Sequence, residues 1–239
     1  LDSTQNGSLL AGVGGFHLFA QNPGRNTVRE SDGIYYEMYN AAILLKKDTA
    51  NVQEYYKSKF VPGAEIFPYK KLLIFLKPLV NKLGGTYEGF AAQDSAKNFS
   101  FPKGEVAPMI CYESIYGSWV RQFVNKGANL LAIMTNDGWW DRTPGYKQHL
   151  YLGRLRAIEN RRDIIRSANT GVSCLIDQRG NISHRTIYGE DAAFAGKVQL
   201  NSTKTFYTRH GDWILWIVWS LGLSMIAFNY FMIRKQKKS

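Results

Sequence analysis

The 239-residue chain carries one stretch that an ordinary globular core rarely accommodates. WILWIVWSLGLSMIAFNYFMI, residues 213–233, is 21 residues long and has no charge. As a helix it would run about 31 Å, close to the hydrocarbon thickness of a bilayer. Trp213, Trp216 and Trp219 lie toward one end and Tyr230 toward the other, where amphipathic rings settle at membrane interfaces. A fully buried core helix is the alternative, but such helices are seldom this long or chain-terminal. RKQKKS, residues 234–239, follows with four positive charges and no negative one. Positive flanks stay cytoplasmic. Three parts are therefore expected: a domain over residues 1–212 outside the cytoplasm, a membrane helix over 213–233, and a cytoplasmic basic tail over 234–239. The chain opens at Leu1 with no signal-like segment. Export of the domain is expected to depend on something upstream, with this chain as the C-terminal part of a longer protein.

The net charge is 30 − 19 = +11, four units of it in the tail. The remaining excess is modest and suits an anionic lipid surface. With no helix-turn-helix, RNP-like or zinc-finger pattern, no nucleic-acid partner is expected. His17, His149, His184 and His210 show no HxxxH-type spacing, so neither a metal site nor a cofactor is expected. Two cysteines, Cys111 and Cys174, make no disulfide framework.

Along the chain, LLAGV (9–13) reads as a short buried strand that turns at Gly14 and Gly15, and 39–45 as a second strand. Apolar positions 72, 73, 76, 79, 80 and 83 form a helical stripe over 69–83, decorated by Lys70, Lys71, Lys77 and Lys82. It is either a surface helix or a basic amphipathic segment lying on a membrane. The loop-like stretch 84–105, with Phe90, Phe99 and Phe101, reads as a lid. Strands and helices then alternate: VAPMI (106–110) as strand, 114–126 as helix with Ser114 as N-cap and Gly127 at its end, 128–137 as strand, 149–165 as helix. A hairpin-like pair comes next, around QRG. The result is a layered α/β fold.

Cys111 stands where a strand ends and a helix begins. Such a turn exposes the sulfur at the carboxyl edge of a sheet, a helix N-terminus favours a negative sulfur, and the N–H of Tyr112 can face an oxyanion. Glu113 is a candidate for ordering the site. The alternative is an inert buried thiol. A cysteine nucleophile needs a base and an oxyanion stabiliser, and YYKSKFVPGAE (55–65) offers Lys57, Lys59 and Glu65. Cys174 alternates with Val172 and Ile176 and reads as a core thiol. The arginines of RLRAIENRRD (154–163) read as a solvated or salt-bridged helix face.

YYKSKFVPGAE, ICYE, TNDGWW, QHLYLGRLRAIENRRDIIRSANTGVS and RHGDW before a terminal apolar helix, in that order, resemble the nitrilase-like domain of the apolipoprotein N-acyltransferase family. The resemblance covers most of residues 9–239. It implies an αββα sandwich, incomplete at its N-terminus, followed by one transmembrane helix. It also implies a Glu–Lys–Cys triad, with the nucleophile on Cys111 and the lysine on Lys57, five residues before Pro62. The supporting glutamate falls on Glu65, where Gly63-Ala64 replaces the family's usual Phe-Gly. Tyr112 and Glu113 match the supporting tyrosine and glutamate after the nucleophile, and Asn136 and Asp137 match the turn that lines the site. The family's general-base glutamate would lie a few tens of residues before Leu9. None of Glu30, Glu37 or Glu54 stands in that context, so the chain is expected to hold two of three triad members. The implied chemistry is ping-pong acyl transfer at a bacterial inner membrane, on its periplasmic side. The phospholipid is the acyl donor and the α-amine of a diacylglyceryl-cysteine of an apolipoprotein is the acceptor. A membrane-anchored amidase of the same superfamily, and an inactive lipid- or lipoprotein-binding domain, are the competing expectations.

Overall fold

The computed structural model describes residues 7–47, 50–66, 75 and 89–236. Two sheets face each other. In the four-stranded one, the long β3 (Ile34–Lys46) is flanked on one side by β1 (Ser8–Phe19) and on the other by β2 (Arg29–Ser31) and β4 (Gln53–Tyr56), all antiparallel to it. The six-stranded sheet has the order β10-β9-β8-β7-β6-β5. Its centre is parallel: β6 (Gly104–Ile110), β7 (Leu130–Thr135) and β8 (Ile164–Ala168). The edges β5 (Phe99–Phe101), β9 (Cys174–Ile176) and β10 (Ile182–Ser183) are antiparallel.

Strands covered on both faces should read as unbroken apolar runs, and Val106–Ile110 and Leu130–Ile133 are buried without exception. One face of the six-stranded sheet meets β1 and β3. The other carries α1 (Gly117–Asn125) and α2 (Gly145–Asn160). Helix α1 buries Trp119, Val120, Phe123 and Val124, an i, i+1, i+4, i+5 stripe. It ends at Lys126, and Gly127 takes φ +106°, a value a side chain tolerates poorly. Helix α2 buries His149, Leu150, Gly153, Arg156, Ala157 and Asn160, so its inward face mixes apolar and polar groups.

Several expectations are corrected. The strand at Leu9 does not turn at Gly14 and Gly15. It continues to Phe19, with Gly14 opposite Asn40 and Gly15 opposite Tyr39. It is an edge strand, and Leu9 and Val13 are exposed rather than buried. The expected lid over 84–105 is not one loop in its described part, 89–105: Phe99 starts β5 and is wholly buried in the core. Ser114 is not a helix N-cap but lies buried in a 3-10 turn, Cys111–Ile115, and α1 starts later at Gly117. Arg162 is no part of a solvated face. Its guanidinium is buried and donates to the carbonyls of Ala128, Asn160, Arg161 and Thr203, and burial pushes it down to about 10. The helix expected over 69–83 lies outside the described residues apart from Phe75, which is exposed.

A short helix α3 (Phe206–His210) leads into α4 (Trp213–Gln236). Over Trp213–Tyr230 this helix is long and apolar enough to cross a membrane, and none of that stretch is buried against the rest of the chain.

The buried α1 stripe is part of the hydrophobic core and reaches Tyr55 of β4, in the four-stranded sheet. Phe123 meets Tyr55 edge-on at 5.5 Å and Trp119 at 6.0 Å. Phe123→Ala is expected to cost about 3–5 kcal/mol of stability, read as a lowered thermal melting point. An unchanged melting point would mean that this contact does not hold the layers together.

Candidate active site

Cys111 comes directly after the last residue of β6 and opens the 3-10 turn with φ +49°. Left-handed backbone at a non-glycine residue costs of order 1–3 kcal/mol and persists only where its surroundings enforce it. The half-buried cysteine lies on the wall of a cavity of about 790 Å³ at the junction of the two sheets. The α-helix expected to start beside the sulfur begins six residues later, so a short 3-10 turn stands in its place.

Lys57 reaches the same cavity from the other sheet. It directly succeeds β4, its backbone N–H donates to Asn40 at 2.8 Å, and its side chain is 2% exposed. Lys57 Nζ lies 2.7 Å from both carboxylate oxygens of Glu65. Glu65 also accepts from Asn40 Nδ2 at 2.7 Å and the Val61 N–H at 2.8 Å, so four donor contacts fix it. An ammonium has three protons. Two contacts go to Glu65, which leaves one proton without a hydrogen-bond partner among the described residues.

Glu113 does not face the cavity. It is fully buried and ties the cysteine turn to the lysine loop. Its carboxylate accepts from Ile110 N–H at 2.9 Å on one side. On the other it accepts from Tyr55 Oη at 2.5 Å, Ser58 N–H at 2.8 Å and Lys59 N–H at 3.4 Å. Burial pushes the Glu113 carboxyl up, and these bonds with the Lys57 charge offset it only in part. Asn136 follows β7 on the cavity wall, and its Oδ1 accepts from Gly138 N–H at 3.0 Å, capping the 3-10 turn Asp137–Trp140. The Tyr112 ring packs edge-on against Tyr116 at 5.6 Å, away from the cavity lining. Cys174 is a wholly buried core thiol, pushed up to about 11 by burial. Cys111, Lys57, Glu65 and Asn136 thus share one cavity, while Glu113 ties the turn and the loop together from behind.

Beneath the cysteine lie two residues that sequence reasoning does not single out as a pair, Asp137's partners Arg166 and His149. Asp137 is buried and its carboxylate lies 2.9 Å from His149 Nδ1 and 2.6 Å from an Arg166 guanidinium nitrogen. Arg166, a charge inside the apolar strand IIRSA, is the available signal, because a buried cation requires a buried partner. His149 has only its place on the inward face of α2. Burial by itself raises the Asp137 carboxyl, but the His149 hydrogen bond and the Arg166 charge outweigh it and hold the carboxyl below its usual range. Gly171, at φ +136°, makes room for this group: a Cβ there would sit 2.7 Å from Asp137 Oδ2.

A family model described as carbon-nitrogen hydrolase matches residues 4–207. The chain is 34% identical over 219 residues to an apolipoprotein N-acyltransferase of Chlorobaculum tepidum, covering 90% of this chain and 41% of that protein. It is 35% identical over 189 residues to one of Geobacter metallireducens, covering 78% and 35%. The chain therefore spans about two fifths or less of the length of these curated relatives. Among solved structures, an amidase from Nesterenkonia sp. is similar with a TM-score of 0.52 at 15% identity, over 89% of this chain and 66% of that one. A mutant of the AN1 amidase, of the nitrilase superfamily, gives 0.54 at 15% identity over 89% and 67%. These two likenesses show a nitrilase-type fold.

The lowered Asp137 carboxyl sets a pH dependence. A carboxyl held below its ordinary 3.8 adds stability that is complete above that value and is lost as pH falls through the lowered one. Asp137→Asn is expected to melt well below the wild type at about pH 7, since it leaves Arg166 without its buried counter-charge. The gap should narrow only in acid, below the ordinary carboxylate value. A gap that stays constant from about pH 7 to about pH 2 would mean that the charge of Asp137 contributes nothing.

Proposed function

Because the chain belongs to the carbon–nitrogen hydrolase family, we propose that it carries the acyl-transfer site of an apolipoprotein N-acyltransferase. The enzyme would move an acyl chain from a phospholipid to the α-amine of a diacylglyceryl-cysteine through a thioester on Cys111. The observation that carries this reading is the meeting of Cys111 with Lys57, itself fixed by Glu65, in one cavity. Similarity to the curated acyltransferases supports the acceptor. The exposed apolar α4 supports a membrane setting, and the four positive charges that follow it support an anchor with 234–239 in the cytoplasm and residues 1–212 on the periplasmic side. The cavity lies within the ~300–1,000 Å³ typical of small-ligand sites, and Leu10, Val13, Met38, Phe90 and Met134 give it an apolar wall suited to an acyl chain.

The sulfur attacks the ester carbonyl as a thiolate. Its proton goes to the glutamate that the family resemblance sets ahead of Leu9. The carbonyl π electrons move to oxygen, and this oxyanion is met by the third Nζ proton of Lys57 and by the Tyr112 N–H. Collapse expels the lysophospholipid alkoxide, which takes the proton back, and leaves the thioester. The lipoprotein amine then attacks the thioester and gives a proton to the same glutamate, the sulfur leaves as thiolate and takes that proton back, and an amide remains. Thioesters react readily with amines, which suits a relay between an oxygen ester and an amide.

The test is intact mass spectrometry of the complete gene product, in detergent with a defined phosphatidylethanolamine. One acyl mass should be added in the wild type and none in Cys111→Ala, and a diacylated lipopeptide should discharge it onto its own amine. Discharge to water alone would favour an amidase, and no adduct on folded protein would favour a binding domain. Lys57→Met should slow adduct formation about 100- to 1,000-fold, the usual loss for one oxyanion donor. A variant as fast as the wild type would remove Lys57 from the mechanism.

A further inference from the structure

Beneath the Cys111 turn runs a chain of ionisable groups that the proposed reaction does not use. Asp137, His149 and Arg166 are all buried, and they come from three elements: the 3-10 turn after β7, α2 and β8. Arg166 pairs with Asp137 Oδ2 and Asp137 Oδ1 meets His149 Nδ1. At the far side of the imidazole, His149 Nε2 lies 3.1 Å from the Cys111 carbonyl oxygen and 3.0 Å from Ser114 Oγ. Ser114 Oγ itself donates to the Cys111 carbonyl at 2.9 Å. With its proton used there, the hydroxyl presents a lone pair to Nε2, and the carbonyl carries no proton at all. Both neighbours are acceptors, so Nε2 donates; Nδ1, 2.9 Å from the Asp137 carboxylate and 3.2 Å from an Arg166 guanidinium nitrogen, donates to that carboxylate as well, so in this arrangement the ring carries a proton on each nitrogen.

We infer that His149 is a positioning residue: its Nε2–H, oriented by Asp137 and Arg166, holds the Cys111 carbonyl and with it the left-handed backbone that sets the sulfur on the cavity wall. The inference rests on the reading of Cys111 as the nucleophile. Stability alone does not account for this group of side chains. Buried ion pairs hold a fold no better than apolar residues of the same volume. What they supply is direction, and the direction here ends on the one carbonyl whose rotation would swing the sulfur away. Ser114 alone cannot fix it, because a hydroxyl rotates and is itself oriented by the imidazole.

The experiment compares His149→Ala, His149→Gln and Ser114→Ala in the complete gene product, each in a Cys174→Ala background, with alkylation read by mass on the peptide that carries Cys111. Melting point, kcat and KM for acyl transfer, and the rate of Cys111 alkylation by iodoacetamide are measured. His149→Ala should lose about 100-fold in kcat, as a misplaced nucleophile does, with KM changed by no more than about threefold. His149→Gln, which keeps an N–H donor, should recover at least about tenfold of that loss, and Ser114→Ala should lose about tenfold. A His149→Ala protein within about threefold of the wild type in kcat would overturn the inference. So would a glutamine variant that melts like the wild type yet is as slow as alanine. If the alanine variant does not fold, the glutamine and Ser114→Ala variants decide, and the inference falls if Ser114→Ala keeps full kcat. If the wild type transfers no acyl group, the functional reading fails. Alkylation then decides the positioning separately: a Cys111 rate equal in wild type and His149→Gln but changed in His149→Ala upholds it, and equal rates in all three overturn it.

Discussion

A cysteine held at φ +49° at the end of a parallel strand is the constraint around which the site is built. That backbone is unfavourable by of order 1–3 kcal/mol, and two sets of bonds hold it, one at each end of the residue. Before it, Glu113 folds back to accept the Ile110 N–H. After it, Ser114 and His149 converge on the Cys111 carbonyl. Net contributions of about 1 kcal/mol per buried hydrogen bond are enough to offset the strain. The same bonds set where the sulfur can be.

The two members of the site come from different sheets. Cys111 belongs to the six-stranded sheet and Lys57 to the four-stranded one, so the distance between them is decided by how the sheets pack. Apolar burial presses the sheets together without specifying register along them. Glu113 supplies the register, since one carboxylate binds Ile110 on one sheet and Tyr55, Ser58 and Lys59 beside Lys57 on the other. The desolvation that raises the Glu113 carboxyl is the cost of placing this tie in the interior. Small residues on β1 complete the arrangement. Gly12 faces Met134 across the gap, where a Cβ would lie 3.5 Å from the Met134 Cβ, and Gly12 and Gly14 leave the cavity wall open.

Sequence is legible here wherever local pattern determines the structure. Val106–Ile110 and Leu130–Ile133 are unbroken apolar runs because parallel strands are covered on both faces. Cys111 is visible because a strand-to-helix junction is a local event. Glu65 and Lys57 are eight residues apart and are found together. Gly14 misleads because glycine marks a turn by conformational freedom and a cavity wall by small volume, and sequence does not separate the two uses. Ser114 suggests a cap because serine before a helix usually is one, yet here its hydroxyl is engaged by the carbonyl three residues back and by a histidine 35 residues on. Arg162 and His149 escape a sequence reading for one reason: their partners, Ala128, Thr203, Asp137 and Cys111, are distant in the chain and near only after folding.

Helix α2 links this turn to the far end of the chain. His149 and Asn160 are eleven residues apart, about 16 Å along the axis, and at 100° per residue they fall on nearly the same face. His149 holds the cysteine carbonyl, while Asn160 Oδ1 accepts from Thr208 Oγ1 at 3.1 Å on α3. Thr205 Oγ1 donates to the Glu159 carbonyl at the same end, and Arg121 and Asn125 of α1 donate to the Thr208 carbonyl. Gly211, at φ +65°, then turns the chain into α4. The apolar helix is therefore not tethered by a loose linker. Its first turn continues from a segment bonded to both helices that back the active-site sheet, so a change in its direction is met by the same α2 that carries His149. With α4 as a membrane anchor, that hydrogen-bonded joint would orient the cavity relative to the bilayer, as a site whose two proposed substrates are both membrane lipids needs.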